Sequence, residues 1–253
     1  MMLVTFIRST VFNLFLYTWS VLLCGLASPG LLFFGRNYAS KITHMWACGI
    51  MVVLKYVCGL KFRVLGHENL PQEPFIVACK HQSAWETIFP LMYFKNVVYV
   101  LKKEVTYIPM LGWYPKPSGM IVIDRSKKIG ALITMLKRIG DVLKQRRVIV
   151  IFPEGTRVKP LAKIPYKVGI AAIYAKYGKE CPIVPAALNS GVYWGKNAWL
   201  KHSGTITIHF LPPLSPNLSK KAMLSELQDQ LETYSNILVN EARTEMDLGN
   251  KPG

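Results

Sequence analysis

From Ser9 to Gly35 the chain carries no charged residue, with Arg8 standing before the run and Arg36 after it. Pro29 and Gly30 interrupt the run, so the pattern predicts a helix over 9–28, close to the roughly 20 residues that cross a bilayer. Asn13, Thr18 and Ser20 make it less apolar than a good span. A second apolar stretch, 42–54, is too short to span and ends at Lys55, whose charged head can snorkel. The reading is two helices joined near 29–41 and embedded in, or lying on, a membrane. A cleaved signal peptide ending at Ala27, with Gly25 two positions earlier, is the alternative. Against it, Arg8 is the single charge ahead of the run.

Beyond Lys55 short apolar runs alternate with helical stretches. The runs 61–65, 75–79, 97–101, 120–123, 148–152, 183–188 and 205–210 read as strands. Residues 127–145 place Ile129, Leu132, Ile133, Leu136, Ile139 and Leu143 at helical spacing, with Lys and Arg between them. Residues 167–177 and 218–238 read as further helices. The expected fold is α/β: a mixed, largely parallel sheet flanked by helices, preceded by the two-helix membrane segment. The expected divisions are 1–59 for the membrane-associated helices, 60–246 for the α/β domain and 247–253 for a polar tail.

Composition adds a partner to this picture. The 253 residues are 51% hydrophobic with mean hydropathy +0.24, yet the net charge is +17. A chain both apolar and cationic suits a membrane surface, where acidic headgroups attract Lys and Arg. An acidic substrate or an acidic carrier protein also fits. Nucleic acid fits less well, because no helix-turn-helix, zinc-finger or aromatic RNA-binding signature accompanies the charge. Five scattered cysteines without a CxxC pair read as reduced thiols in a cytosol-facing protein. No Cys/His cluster has metal-ligand spacing, so no metal is expected.

Candidate chemistry sits at strand ends. His81 and Glu86 stand five positions apart across a strand-to-helix turn and can meet there. The carboxylate would hold the imidazole in one tautomer, leaving the other nitrogen to take a proton. The bland alternative is a capping box, Ser83-x-x-Glu86, in which Glu86 serves only the helix start. The run Phe152-Pro153-Glu154-Gly155-Thr156-Arg157 offers a glycine able to take positive φ, a hydroxyl, and a guanidinium fork matched to phosphate oxygens. An ordinary Pro/Gly turn would explain the same residues. Gly119 to Arg125 ends a strand on an Asp124–Arg125 pair, and 183–188 on its own reads as a core strand.

Together and in this order, these blocks resemble the glycerolipid acyltransferase family that includes 1-acylglycerol-3-phosphate acyltransferases. The family's His-x4-Asp motif matches His81 to Glu86, and its Gly-x-x-x-Ile-Asp-Arg block matches Gly119 to Arg125. The hexad Phe152–Arg157 matches residue for residue, and the apolar Pro-containing block matches Ile183 to Pro185. The likeness covers about 75–188 and extends to the membrane segment before it. Two departures stand out. The family usually has Asp where this chain has Glu86, and often Asn where it has Lys80. The extra methylene of Glu86 puts the geometry of the pair in question, since a misplacement of about 1 Å can cost roughly a hundredfold in rate.

The resemblance implies transfer of a fatty acyl group from a thioester to the sn-2 hydroxyl of lysophosphatidic acid. His81 would be the general base and Glu86 its orienting acid. Arg125 and Arg157 would hold the acceptor phosphate, with Glu154, Gly155 and Thr156 shaping that pocket. Acyl-CoA or acyl carrier protein would be co-substrate, no bound cofactor is implied, and membrane lipids are the expected surroundings. The expected location is the inner membrane with the catalytic domain facing the cytosol. Glycerol 3-phosphate, another lysophospholipid or a lyso-ornithine lipid are alternative acceptors. A thioesterase would make the arginines superfluous, and a non-catalytic lipid-binding protein would not need His81 and Glu86.

Overall fold

The computed structural model describes residues 2–249. Helical turns fill residues Met2 to Val57, 56 residues in all, and the non-helical backbone of Gly35 divides them into the two arms of a hairpin. It comprises α1 (Met2–Trp19), a π-helical turn (Ser20–Cys24), the one-turn α2 (Gly25–Ala27), a 3-10 turn (Ser28–Gly30) and α3 (Leu31–Val57). Pro29 does not break the run, because it opens the 3-10 turn, where a proline sacrifices no needed N–H. The reversal falls instead at Gly35, at φ 62° and ψ −152°, a conformation that strains any residue with a Cβ.

Past Gly35 the chain folds back on itself. Trp19 Nε1 donates to Trp46 O at 3.2 Å, Trp46 Nε1 to Ser20 Oγ at 2.9 Å, and Tyr38 OH to Ala27 O at 2.9 Å. Gly49 makes room for the indole, since a Cβ there would lie 2.7 Å from Trp19 Nε1. Ser9 and Asn13 of α1 face inward. Lys201 N donates to Ser9 Oγ at 2.8 Å, and Lys201 Nζ donates to Asn13 Oδ1 and, at 2.9 Å, to Trp199 O. Burial brings the Lys201 ammonium down to about 8. The outer face leaves Leu3, Phe6, Leu14 and Leu26 exposed, and the tip leaves Leu32, Phe33 and Phe34 exposed. By length and composition the run could cross a membrane.

Seven strands follow: β1 (Leu60–Leu65), β2 (Ile76–Cys79), β3 (Val97–Lys102), β4 (Ile121–Ile123), β5 (Val148–Ile151), β6 (Ile183–Leu188) and β7 (Gly204–Phe210). Their order is β1-β7-β6-β2-β5-β3-β4, parallel at every junction except β6–β7, as a largely parallel sheet requires. The helices are α4 (Trp85–Tyr93), α5 (Ile129–Lys144), α6 (Val168–Tyr177), the short α7 (Ser190–Tyr193) and α8 (Lys220–Gly249). Alternation along β5 builds two cores. Val148 and Val150 pack with Leu54 of the hairpin and Trp85 and Phe89 of α4; Ile149 and Ile151 pack with Ile139, Ile170 and Leu227 of α5, α6 and α8. Helix α8 runs past the expected end at 238 and through the start of the expected tail, because Ala242 is buried and Met246 packs on the first core. Residues 250–253 of that tail lie outside the described residues.

Phe12 is fully buried, edge-on to Trp194 at 5.6 Å, and joins the hairpin to the sheet domain. Phe12→Ala should lower the unfolding free energy by roughly 3–5 kcal/mol, measured by chemical denaturation in detergent; an unchanged midpoint would mean that the hairpin adds nothing to this core.

Candidate active site

The parallel strands β2, β4 and β5 all deliver chain to the same edge of the sheet at their C-terminal ends, where open α/β sheets bind ligands. The loop after β2 carries His81. Its Nδ1 lies 2.9 Å from Glu86 Oε1, so the two residues do meet across the turn into α4. The same oxygen accepts from Gln82 N at 2.6 Å and Ser83 N at 2.5 Å, and Oε2 accepts from Ser190 Oγ at 2.8 Å. Glu86 is fully buried, and this set of donors is what permits a carboxylate to be buried there. Glu86 therefore holds both the backbone ahead of the helix and the His81 ring, while the reciprocal half of the capping box is absent, since Ser83 Oγ accepts from Trp85 N at 3.2 Å. The extra methylene of Glu86 does not pull it off His81, because the backbone of residues 82–83 closes around the carboxylate. Nδ1 being engaged, Nε2 is left for chemistry; the ring stacks on Phe152 with centroids 4.1 Å apart.

The loop after β5 lies alongside. Glu154 Oε2 accepts from His81 N at 2.7 Å and Oε1 meets Lys80 Nζ at 2.7 Å. Lys80 Nζ also meets Glu232 Oε1 of α8 at 2.6 Å, and Tyr166 OH donates to that oxygen at 3.1 Å. Lys80, Glu154 and Glu232 are all buried. Burial raises the Glu154 carboxyl above the usual carboxylate range while Lys80 opposes the rise. Glu154 thus stands behind the pocket it was expected to shape, holding the His81 loop in place. Lys80, where the family often has Asn, ties both motif loops to α8.

A cavity of about 640 Å³ opens beside His81. Arg125, Gly155, Thr156, Arg157, Lys167 and Lys196 give it a polar, cationic side. Ile123, Ala131, Leu132, Met135, Ile151 and Ile170 give it an apolar one. Arg125 Nη1 donates to Gly155 O at 3.0 Å, and Arg157 Nη2 to Asn197 Oδ1 at 3.2 Å. Gly155 has φ 67°, and a Cβ there would lie 3.2 Å from both Arg125 Nη1 and Lys167 Cγ, so glycine lets the guanidinium close on the loop. Asp124 does not pair with Arg125. It accepts from Ser126 Oγ at 2.6 Å and Ser126 N at 3.1 Å, which together hold its carboxyl below the usual range and cap the following turn.

Sequence reasoning placed His81, Glu86, Arg125, Gly155, Thr156 and Arg157 at one site, and the fold brings them together. It missed Ser190, Glu232, Tyr166 and Lys196. Glu232 had a signal, being an acid within the apolar stripe of α8 beside Leu231 and Ser235, both buried. Ser190 had none, since only the fold brings it to Glu86.

A histidine steadied by a buried acid, opening onto a cavity part cationic and part apolar, is equipped to move an acyl group onto a phosphate-bearing lipid, and the chain is an acyltransferase. The acyltransferase family model matches residues 61–189, and the chain belongs to that family. It is 32% identical over 232 residues to the 1-acyl-sn-glycerol-3-phosphate acyltransferase of Pseudomonas aeruginosa, covering 90% of this chain and 88% of that one. It is 33% identical over 187 residues to the enzyme of that name from Saccharomyces cerevisiae, covering 71% of this chain and 60% of that one. The crystal structure of the 1-acyl-sn-glycerophosphate (LPA) acyltransferase from Thermotoga maritima superimposes with a TM-score of 0.72 at 19% identity, over 98% of each chain, and shares the fold.

Replacing Lys80 with Met leaves two buried carboxylates without their cation. The unfolding free energy should fall by roughly 3–5 kcal/mol. Adding Glu154→Gln and Glu232→Gln should restore most of the loss. Denaturant midpoints of the single and triple variants check this; a single variant as stable as the parent removes the network from the account.

Proposed function

We propose that the chain transfers a fatty acyl group from an acyl thioester to the sn-2 hydroxyl of lysophosphatidic acid, giving phosphatidic acid. The observation that carries this reading is His81, its Nδ1 fixed by Glu86, lining a cavity with arginines on one side and an apolar wall on the other. The acceptor phosphate sits against Arg125 and Arg157, whose forks suit phosphate oxygens. Gly155 and Thr156 shape the same wall. An acyl chain follows Leu132, Met135 and Ile170.

In the reaction His81 Nε2 takes the proton of the acceptor hydroxyl as its oxygen attacks the thioester carbonyl. Glu86 stabilises the imidazolium. The tetrahedral intermediate collapses, the C–S bond breaks, and the thiolate leaves with the proton from His81. The base contributes roughly 10²–10⁴-fold, and holding both substrates in register contributes more. This chemistry draws on no metal and no bound cofactor. Acyl-CoA or acyl carrier protein supplies the thioester, and the +17 charge suits either acidic donor. The protein works on the inner membrane with its catalytic domain on the cytosolic side, the exposed apolar face of the hairpin in the lipid.

The test is thiol release from palmitoyl-CoA and from palmitoyl-acyl carrier protein by the detergent-purified protein, with and without lysophosphatidic acid. Release should require the acceptor, yield phosphatidic acid and vanish in His81→Ala. Release without acceptor would make the protein a thioesterase. Arg157→Ala should raise the acceptor KM by roughly tenfold to a hundredfold, the weight of a charged hydrogen bond, with a smaller change in kcat. An unchanged KM would remove Arg157 from the phosphate site.

A further inference from the structure

At the opposite end of the sheet, where β3, β4 and β5 begin, two arginines face each other without an acid. Arg147 precedes β5 and is buried. Its Nη2 donates to Ser118 O at 2.9 Å and Val97 O at 3.3 Å. Its Nη1 is buried and has no hydrogen-bond partner. Arg36, the residue after the hairpin reversal at Gly35, reaches the same place and donates to Gln145 Oε1. Among the described residues neither guanidinium has an ion-pair partner. Burial, with Arg36 nearby, brings Arg147 down to about 10.

Gly119 packs against both side chains. A Cβ at this residue, whose φ is 74°, would lie 2.8 Å from Arg147 Nη1 and 3.5 Å from Arg36 Cδ. A desolvated cation with a free N–H, a second cation beside it and no carboxylate make a site short of an anion. The surroundings say where the anion comes from. Leu32, Phe33 and Phe34, exposed by 83%, 78% and 67%, precede Gly35 and Arg36 in the chain. An apolar tip adjoining a guanidinium is the arrangement of a segment dipped into acyl chains with its cations at phosphate depth.

We propose that Arg36 and Arg147, over Gly119, bind the phosphodiester headgroup of an anionic bilayer phospholipid, at a site separate from the catalytic cavity. A zwitterionic headgroup binds less well, because its ammonium meets two cations and no acid. The site seats the hairpin tip in an anionic leaflet and does not depend on which acceptor the catalytic site uses.

The experiment is thermal unfolding of the full chain in a neutral detergent, with dihexanoyl-phosphatidylglycerol, dihexanoyl-phosphatidylcholine or inorganic phosphate added at equal concentration. The phosphatidylglycerol should raise Tm by roughly 5–10 °C near saturation, and the other two by much less. Arg36→Gln should lose that rise while keeping acyl transfer in micelles. Lys61→Gln, the same charge change on an exposed residue of the far edge strand β1, should keep it. Equal stabilisation by phosphatidylcholine or by inorganic phosphate overturns the proposal. So does a rise that survives Arg36→Gln, a loss matched by Lys61→Gln, or no rise in the parent.

Discussion

A carboxylate buried at the end of a parallel sheet must have every lone pair answered, and two such carboxylates organise this protein. Glu86 collects the N–H groups of Gln82 and Ser83, the His81 ring and the Ser190 hydroxyl. Glu154 collects His81 N and Lys80. Burial without these partners would cost several kcal/mol for each ion, so the loops after β2 and β5 have little choice of conformation. His81 is oriented as a consequence. Its backbone N–H is held by one acid and its side chain by the other.

The N-terminal hairpin is joined to this arrangement rather than appended to it. Phe12 packs on Trp194, and Ser9 and Asn13 hold the Lys201 segment. Trp194 directly follows α7, which begins at Ser190, the residue on Glu86. A short path of one ring contact, four residues of backbone and one hydrogen bond therefore runs from the inner face of the hairpin to Glu86. The outer face stays apolar and exposed, while the inner face packs against the segment that leads to Glu86.

Most of this was legible in the residues. The seven strands lie within a residue of where alternation and β-branched runs put them, because buried parallel strands read as continuous apolar segments. The hexad 152–157 and His81-x4-Glu86 marked the site, because catalytic loops sit at strand ends and need few residue types. Local pattern could not show the buried network. Lys80 stood out as a departure from the family's Asn and Glu232 lay within the expected helix 218–238, and only the fold places them 2.6 Å apart. The reversal of the hairpin falls at Gly35, inside the expected junction 29–41, and not at Pro29, because the proline fits a first turn. Of the polar residues that weakened the reading of a span, Asn13 meets Lys201 and Trp199 and Ser20 accepts from Trp46, while Thr18 is exposed.

On this geometry the charge of Glu86, held by the loop it organises, is what would make His81 a base. Glu86→Gln tests it most directly. The amide oxygen can still accept from Gln82, Ser83 and His81, and the amide nitrogen can donate to Ser190, so the loop should hold while the charge is gone. Steady-state acyl transfer to lysophosphatidic acid should then show kcat lowered by roughly 10²–10⁴-fold, with the acceptor KM and the unfolding midpoint little changed. A kcat equal to that of the parent, in a protein of unchanged stability, would contradict the account.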